Sequence, residues 1–230
     1  MSRAVLSWWS EAIAVFAKDW RSEFRTRYAL NTVALFALTT LVLVSLGLGP
    51  LGSQGAERAT VLPTLLWLIL LFASSAGLPR SFVHEEESGT AVALRLAATP
   101  SAIFVGKALF SLSLLLAIEA LVAPLYLALV QLTVARPGLF VIVLVLGGWG
   151  VSLGSTLIAA IISQARGKGA LFTVLAFPLL LPLFLLAIEL TRTAIVGDPT
   201  GPALAQLALY DGALTVGPLM LFPSVWLPGA

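Results

Sequence analysis

Apolar residues along this chain gather into six runs separated by short polar clusters. A spanning helix needs roughly 20 predominantly apolar residues to cross about 30 Å of hydrocarbon. Runs of that kind extend from about Thr32 to Gly49, Ala59 to Pro79, Ala108 to Val134, Pro137 to Ala165, Ala170 to Ile188 and Ala203 to Leu227. Glu119 is the only charge in the third run. Asp211 interrupts the sixth, where Tyr210-Asp211-Gly212 offers a place for a helix break. The pattern predicts an all-α membrane protein with six transmembrane helices, because backbone amides in hydrocarbon must be satisfied within their own helix. One membrane domain covers residues 1–230.

Ahead of the first run, Leu6, Trp9, Ile13, Phe16, Trp20 and Phe24 recur at three- and four-residue steps, with Lys18, Asp19, Arg21 and Glu23 between them. That spacing predicts an amphipathic helix within residues 1–27. Its tryptophans and cationic end suit the cytoplasmic membrane interface, as a plain anchor or as an elbow beside a bound partner. No cleavage signal is evident before the first span, so the segment is read as retained.

The longest polar stretch runs from Arg80 to Lys107. Thr99-Pro100-Ser101 reads as a helix start, and Gly89 breaks the helix-forming residues before it, which predicts a short helix pair. An acidic and apolar helix projecting from a membrane domain is what a soluble motor would grip. The plain alternative is a solvated loop whose carboxylates keep it in water.

Composition excludes a soluble domain. Of 230 residues 59% are hydrophobic and 10% charged, against about 25% charged in soluble domains. Thirteen Lys and Arg against eleven Asp and Glu leave a net charge of +2, and the pI of about 9.3 reflects membrane orientation, not nucleic-acid binding. With the N-terminus inside, Arg3, Lys18, Arg21, Arg25, Arg27, Arg80, Arg95, Lys107, Arg166 and Lys168 lie on inner segments, and only Arg58, Arg136 and Arg192 lie outside. The bias of Lys and Arg toward the cytoplasm therefore places both termini there. The absence of cysteine excludes disulfides, thiolate metal sites and c-type haem attachment.

Candidate chemistry is sparse. A phosphate-binding loop needs Gly-x-x-x-x-Gly-Lys-Ser/Thr, but Gly106-Lys107 is followed by Ala108 and Gly167-Lys168 by Gly169. Any ATP hydrolysis belongs to another chain. Gly150-Val151-Ser152-Leu153-Gly154 matches the serine-hydrolase pattern, yet it lies inside a predicted span, and the only histidine, His84, belongs to the polar stretch. Gly150 and Gly154 are read instead as a helix-packing face. Two readings stand for Glu119, which falls near the bilayer midplane: a substrate or proton path, or a structural hydrogen bond to a neighbouring helix. Asp211 is a second intramembrane candidate, and Glu189 with Arg192 reads as an interfacial pair. His84 and Met220 are poorly placed as haem ligands, so any haem contact is expected to be apolar or shared with another protein of a complex.

Several segments together resemble the haem exporter protein B (CcmB) family: Lys18-Asp19-Trp20-Arg21-Ser22-Glu23-Phe24-Arg25-Thr26-Arg27, Leu66-Trp67, Arg80-Ser81-Phe82 with Glu85 to Gly89, Gly106-Lys107, Gly154-Ser155-Thr156-Leu157 and Phe177-Pro178-Leu179-Leu180-Leu181-Pro182. Their order spans residues 15 to 227. The resemblance implies an ABC-2-like permease of the bacterial inner membrane with a CcmA-like ATP-binding subunit that holds ATP and Mg, and pairing of two six-helix halves about a two-fold axis predicts a homodimer. The resemblance further implies haem-handling membrane subunits C and D and a periplasmic haem chaperone E, in the maturation of c-type cytochromes. It leaves open whether haem itself or a conformational signal is moved. On this reading residues 80–107 dock on the ATPase as a coupling segment, with Arg80, Phe82, Glu85, Glu86, Glu87 and Arg95 as the coupling residues. The competing readings are an ABC-2 permease for a drug or lipid and a secondary transporter or scaffold.

Overall fold

The computed structural model describes residues 2–48, 56–77, 82, 85, 89–163 and 168–226. Among these, eight helices form: α1 (Ser2–Thr26), α2 (Tyr28–Leu48), α3 (Ala56–Gly77), α4 (Ala91–Ala97), α5 (Pro100–Leu129), α6 (Pro137–Ser163), α7 (Lys168–Val196) and α8 (Ala203–Trp226). Six of them, α2, α3 and α5 to α8, are long and apolar enough to cross a membrane. Central α6 packs against α5, α7, α8 and α3, α2 packs on α3 and α5, and α1 packs on α5.

Charges inside helices account for most differences from the sequence-based boundaries. The third span was expected to open at Ala108 and instead starts at Pro100. Thr99 takes an extended N-cap conformation and proline occupies the first helical position, after which nothing breaks the helix; Lys107 is carried within it. The same helix stops at Leu129, before the expected Val134, as Gln131 turns left-handed with φ 52°. The fifth span continues past Ile188 to Val196, since Glu189 and Arg192 pair at one helical turn, with 2.8 Å between Oε1 and an Arg192 nitrogen. The sixth passes unbroken through Tyr210-Asp211-Gly212, because Asp211 turns inward and leaves the backbone ladder intact. Of the expected cytoplasmic helix pair, α4 is described; residues 78–81, 83–84 and 86–88 lie outside the described residues.

Two tryptophans of similar role fix the direction of α1. Trp8 Nε1 donates to Ser101 Oγ and Trp20 Nε1 to Ser113 Oγ, both at 2.9 Å. The offset of 93 residues is the same in each bond, so α1 runs alongside the first half of α5 in the same direction. Gly106 makes this approach close: a Cβ there would meet the Ala12 carbonyl oxygen at 2.6 Å and Val15 Cβ at 2.7 Å. The expected apolar stripe is open at Trp9, Ile13 and Phe24, as suits lipid contact. The adjacent face, with Ala12, Val15, Asp19 and Glu23, is buried. At the end of α1, Arg27 adopts a left-handed φ of 51° and Glu23 Oε1 accepts the Leu30 amide at 2.7 Å. The elbow into α2 is thus capped by a side chain of the preceding helix.

At the centre, α6 presents Gly147, Gly148 and Gly150 within one turn. Gly147 seats the Trp67 ring of α3, which a Cβ would overlap; Trp67 Nε1 donates to Thr191 Oγ1 of α7 at 2.9 Å. Gly150 and Gly154 both face α7, where Cβ atoms would meet Leu183 Cδ1 and Leu180 Cδ2 at 2.7 Å each. Small residues let helices approach where hydrocarbon provides no hydrophobic drive between them. Replacing Gly147 by Ala should therefore cost about 1–3 kcal/mol through overpacking. Gly212→Ala, at a site with open space around it, should be neutral or stabilising. Thermal unfolding in detergent separates them, and an equal response in the two variants would refute the seat.

Candidate functional site

The polar groups of this bundle concentrate where α1, the Phe82–Glu85 region and the first turns of α5 meet. Lys107 enters this site from α5 because its helix starts at Pro100, which puts it about two turns in. Its side chain is 0% exposed. A buried ammonium is tolerated only with paired acids, and two are present: Asp19 Oδ2 of α1 at 3.1 Å and Glu85 Oε1 at 2.7 Å. Lys18, half-exposed on the outer side, bonds the same Glu85 oxygen and stands 3.5 Å from Asp19 Oδ1. Two cations and two carboxylates thus form a clasp joining three segments.

An apolar floor lies beneath the clasp. Lys107 Nζ is 4.8 Å from the centroid of the Phe82 ring, within cation–π range. Phe82 is fully buried and packs against Phe222 and Trp226 at the end of α8, and Phe104 of α5 joins them through Phe222. Arg95 of α4 places its guanidinium 4.8 Å over the Trp226 ring. Outside, Glu11 Oε2 of α1 accepts both the backbone amide and the hydroxyl of Thr99 at 2.9 Å, tying α1 to the start of α5.

Of the residues expected to couple to an ATPase, Phe82, Glu85 and Arg95 come together here, while Arg80, Glu86 and Glu87 lie outside the described residues, as does His84. Glu85 was expected to face a partner; its carboxylate instead points inward and is nearly fully buried. Sequence reasoning missed Lys18, Asp19 and Lys107 as a unit, since it never set the two lysines against each other or against Asp19. A lysine followed by eleven residues without charge, inside a helix opened by proline, was the available signal.

The intramembrane acids occupy different ground. Glu119 of α5 faces Gly148 of α6, and Asp211 of α8 faces Gly150. Both are buried. A groove of roughly 230 Å³ lies between α1, α5, α6 and α8, lined by Trp8, Trp9, Phe104, Trp149 and Leu219 among others, with no His, Met, Cys or Tyr among the described residues of its wall. Met220 is exposed on α8. Among the described residues no group of three or more His, Cys, Asp or Glu could hold a metal ion.

The clasp has a definite pH window. Burial pushes the Glu85 carboxyl up, but Lys107 and Lys18 outweigh it and hold it below its ordinary 4.5. Burial likewise pulls the Lys18 ammonium down, and Glu85 with Asp19 outweighs that and holds it above its ordinary 10.5. A carboxyl more acidic folded than unfolded contributes fully above its unfolded pKa and loses that contribution as pH falls through the folded one; a raised ammonium contributes below its unfolded pKa and loses it as pH rises through the folded one. Protease protection of α1 in detergent should therefore be flat from about pH 5 to about pH 9, fall below the ordinary carboxylate range as Glu85 is protonated, and fall again above the ordinary lysine range as Lys18 is deprotonated. Lys107→Met, which leaves two buried acids with only the half-exposed Lys18 as cation, should cost about 3–5 kcal/mol; an unchanged Tm would contradict the clasp.

Comparison with known proteins extends the geometry. The family model described as CcmB protein matches residues 10–225. Heme exporter protein B of Rhodobacter capsulatus is 31% identical over 201 residues, covering 85% of this chain and 88% of that protein. The proteins of the same name from Bradyrhizobium diazoefficiens and Paracoccus denitrificans are 26% identical over 208 residues and 28% over 211, covering 89% and 91% of this chain and 92% and 94% of theirs. The match takes in α1 with its clasp residues and nearly all of the six spans, and the chain is a member of the CcmB family.

Proposed function

We propose that this chain is the membrane permease subunit of an ABC transporter that serves haem export in cytochrome c maturation, with ATP hydrolysed by a separate, CcmA-like protein. Family membership supports the class of function, as relatives covering 85–91% of the chain carry the name Heme exporter protein B. The observation that carries the mechanism is the clasp. It fixes the Phe82–Glu85 region to α1 and α5, so a force applied to that region reaches a spanning helix directly. Gly106-Lys107 sits within α5 and its ammonium is bound to acids, which suits a structural role and not phosphate binding.

On this reading Arg80, Glu86 and Glu87 contact the ATPase, Glu85 and Phe82 root the contact in the bundle, and Arg95 braces α4 on Trp226. The permease acts as a homodimer with haem-handling subunits C and D and the chaperone E, in the bacterial inner membrane with both termini cytoplasmic. The ten-to-three distribution of Lys and Arg supports that orientation. Haem is cargo of the complex, and the groove beside Trp149, without an axial ligand in its wall, suits apolar contact only.

Docking and rooting separate experimentally. Glu86→Lys with Glu87→Lys should abolish co-purification of the ATPase from mild detergent while the permease stays folded and in the membrane. Full retention of the ATPase by that double variant would sink the docking assignment. Purification of the unsubstituted chain without any ATP-binding protein, under conditions that preserve other membrane complexes, would sink the transporter reading as a whole.

A further inference from the structure

The glycine turn of α6 holds two acids that the clasp and the coupling segment do not use. A Cβ at Gly148 would stand 3.0 Å from Glu119 Oε1 and 3.1 Å from Oε2, and one at Gly150 would overlap Asp211 Oδ1. Positions two apart on a helix differ by about 200°, so the acids flank α6 on nearly opposite sides. Glu119 is 3% and Asp211 4% exposed. No oxygen of either carboxylate has a hydrogen-bond partner among the described residues.

No nearby charge among the described residues compensates them. Helices α2 and α6 carry none, and Asp211 is the only one in α8. In α5 the other charge is Lys107, twelve residues or about 18 Å away along the axis and bound to Asp19 and Glu85. In α7, Glu189 pairs with Arg192, and Lys168 lies fifteen residues before Leu183. In α3, Glu57 and Arg58 stand in the first turn, where Arg58 donates to the Val130 carbonyl. The hydroxyls of Tyr126 and Tyr210 donate to the carbonyls of Leu62 and Leu179.

An isolated carboxylate in such a place is very costly. A hard cation such as Ca²⁺ or Mg²⁺ would need about six oxygen ligands, and glycine and Leu183 supply none from their side chains. Side chains of other proteins cannot reach atoms closed off by this chain's own helices. We propose that Glu119 and Asp211 are two proton-binding sites, each held as a neutral carboxylic acid against the glycine turn of α6. Each site follows RCOO⁻ + H⁺ ⇌ RCOOH, with no other reactant. Its consequence is mechanical: α6 rests in both seats only while the acids are neutral, so proton release accompanies displacement of α6 from α5 or α8.

Infrared spectroscopy of the purified full chain at about pH 8, where exposed carboxyls are ionised, tests this directly. A protonated-carboxyl C=O stretch is expected, reduced by loss of one component in Glu119→Gln and of another in Asp211→Asn. Both amides imitate the neutral acid and should leave Tm unchanged. If either variant fails to reach the membrane, ¹³C-carboxyl labelling of Glu or of Asp in the unsubstituted protein must each shift part of the band. Absence of the band overturns the proposal, and a band left intact by one substitution or one label overturns it for that residue.

Discussion

A lysine ammonium with no exposed surface is the constraint on which the N-terminal half depends. Lys107 cannot reach water, so its charge is stable only where Asp19 and Glu85 are both in place. Asp19 brings α1 flat against α5, and the contact is close enough to require Gly106. Glu85 brings the Phe82 region, and Phe82 in turn completes an aromatic cluster with the end of α8. One charge thereby joins the first helix of the chain to its last. The N-terminal helix is accordingly part of the bundle's structure, with Trp9, Ile13 and Phe24 left open on its outer side.

The centre follows a different rule. Hydrocarbon gives no reason for apolar helices to prefer each other over lipid, so shape and backbone proximity decide. The turn at Gly147 to Gly150 provides that shape, with Trp67, Glu119, Leu183 and Asp211 each occupying space that a side chain would have filled. Trp67 adds a hydrogen bond to Thr191 across α7, which orients the ring as well as filling the gap. Aromatic and acidic neighbours use the same device for opposite purposes: Trp67 fills it with apolar surface, and the acids place polar atoms where no partner among the described residues meets them.

Six spans and the amphipathic start were legible in the sequence because both are one-dimensional: run length and a 3.6-residue period need no knowledge of neighbours. Boundaries failed at several of the charges that lie inside helices, though not at Glu119. Lys107, the Glu189–Arg192 pair and Asp211 all read as ends or breaks, yet each is accommodated by a partner or by burial that hydropathy cannot register. The site was legible only in part for the same reason. Asp19 and Lys107 are 88 residues apart, and nothing in a linear pattern says that one faces the other. Glu85 looked like its neighbours Glu86 and Glu87, and only the fold distinguishes an acid turned inward. The family resemblance supplied what periodicity could not, namely a class of function.

Two of the buried titratable groups, Lys107 and Glu119, share one helix, while Asp211 lies on another. Lys107 and Glu119 are twelve residues apart on α5, about 18 Å of uninterrupted helix, with Pro124 beyond both. The first is fully paired and anchors the region where, on the proposed reading, an ATPase docks; the second has no hydrogen-bond partner among the described residues and touches the backbone of the central helix. A rigid element so loaded transmits displacement from end to end with little loss. A pull on the clasp that shifts α5 along its axis would be felt first at the Glu119 seat on Gly148, because there a carboxylate lies directly against the α6 backbone with no side chain between them. Whether the seat holds or opens then depends on the charge of a single carboxyl, and this places the sensitive step in the bilayer interior and not at the surface where the force enters.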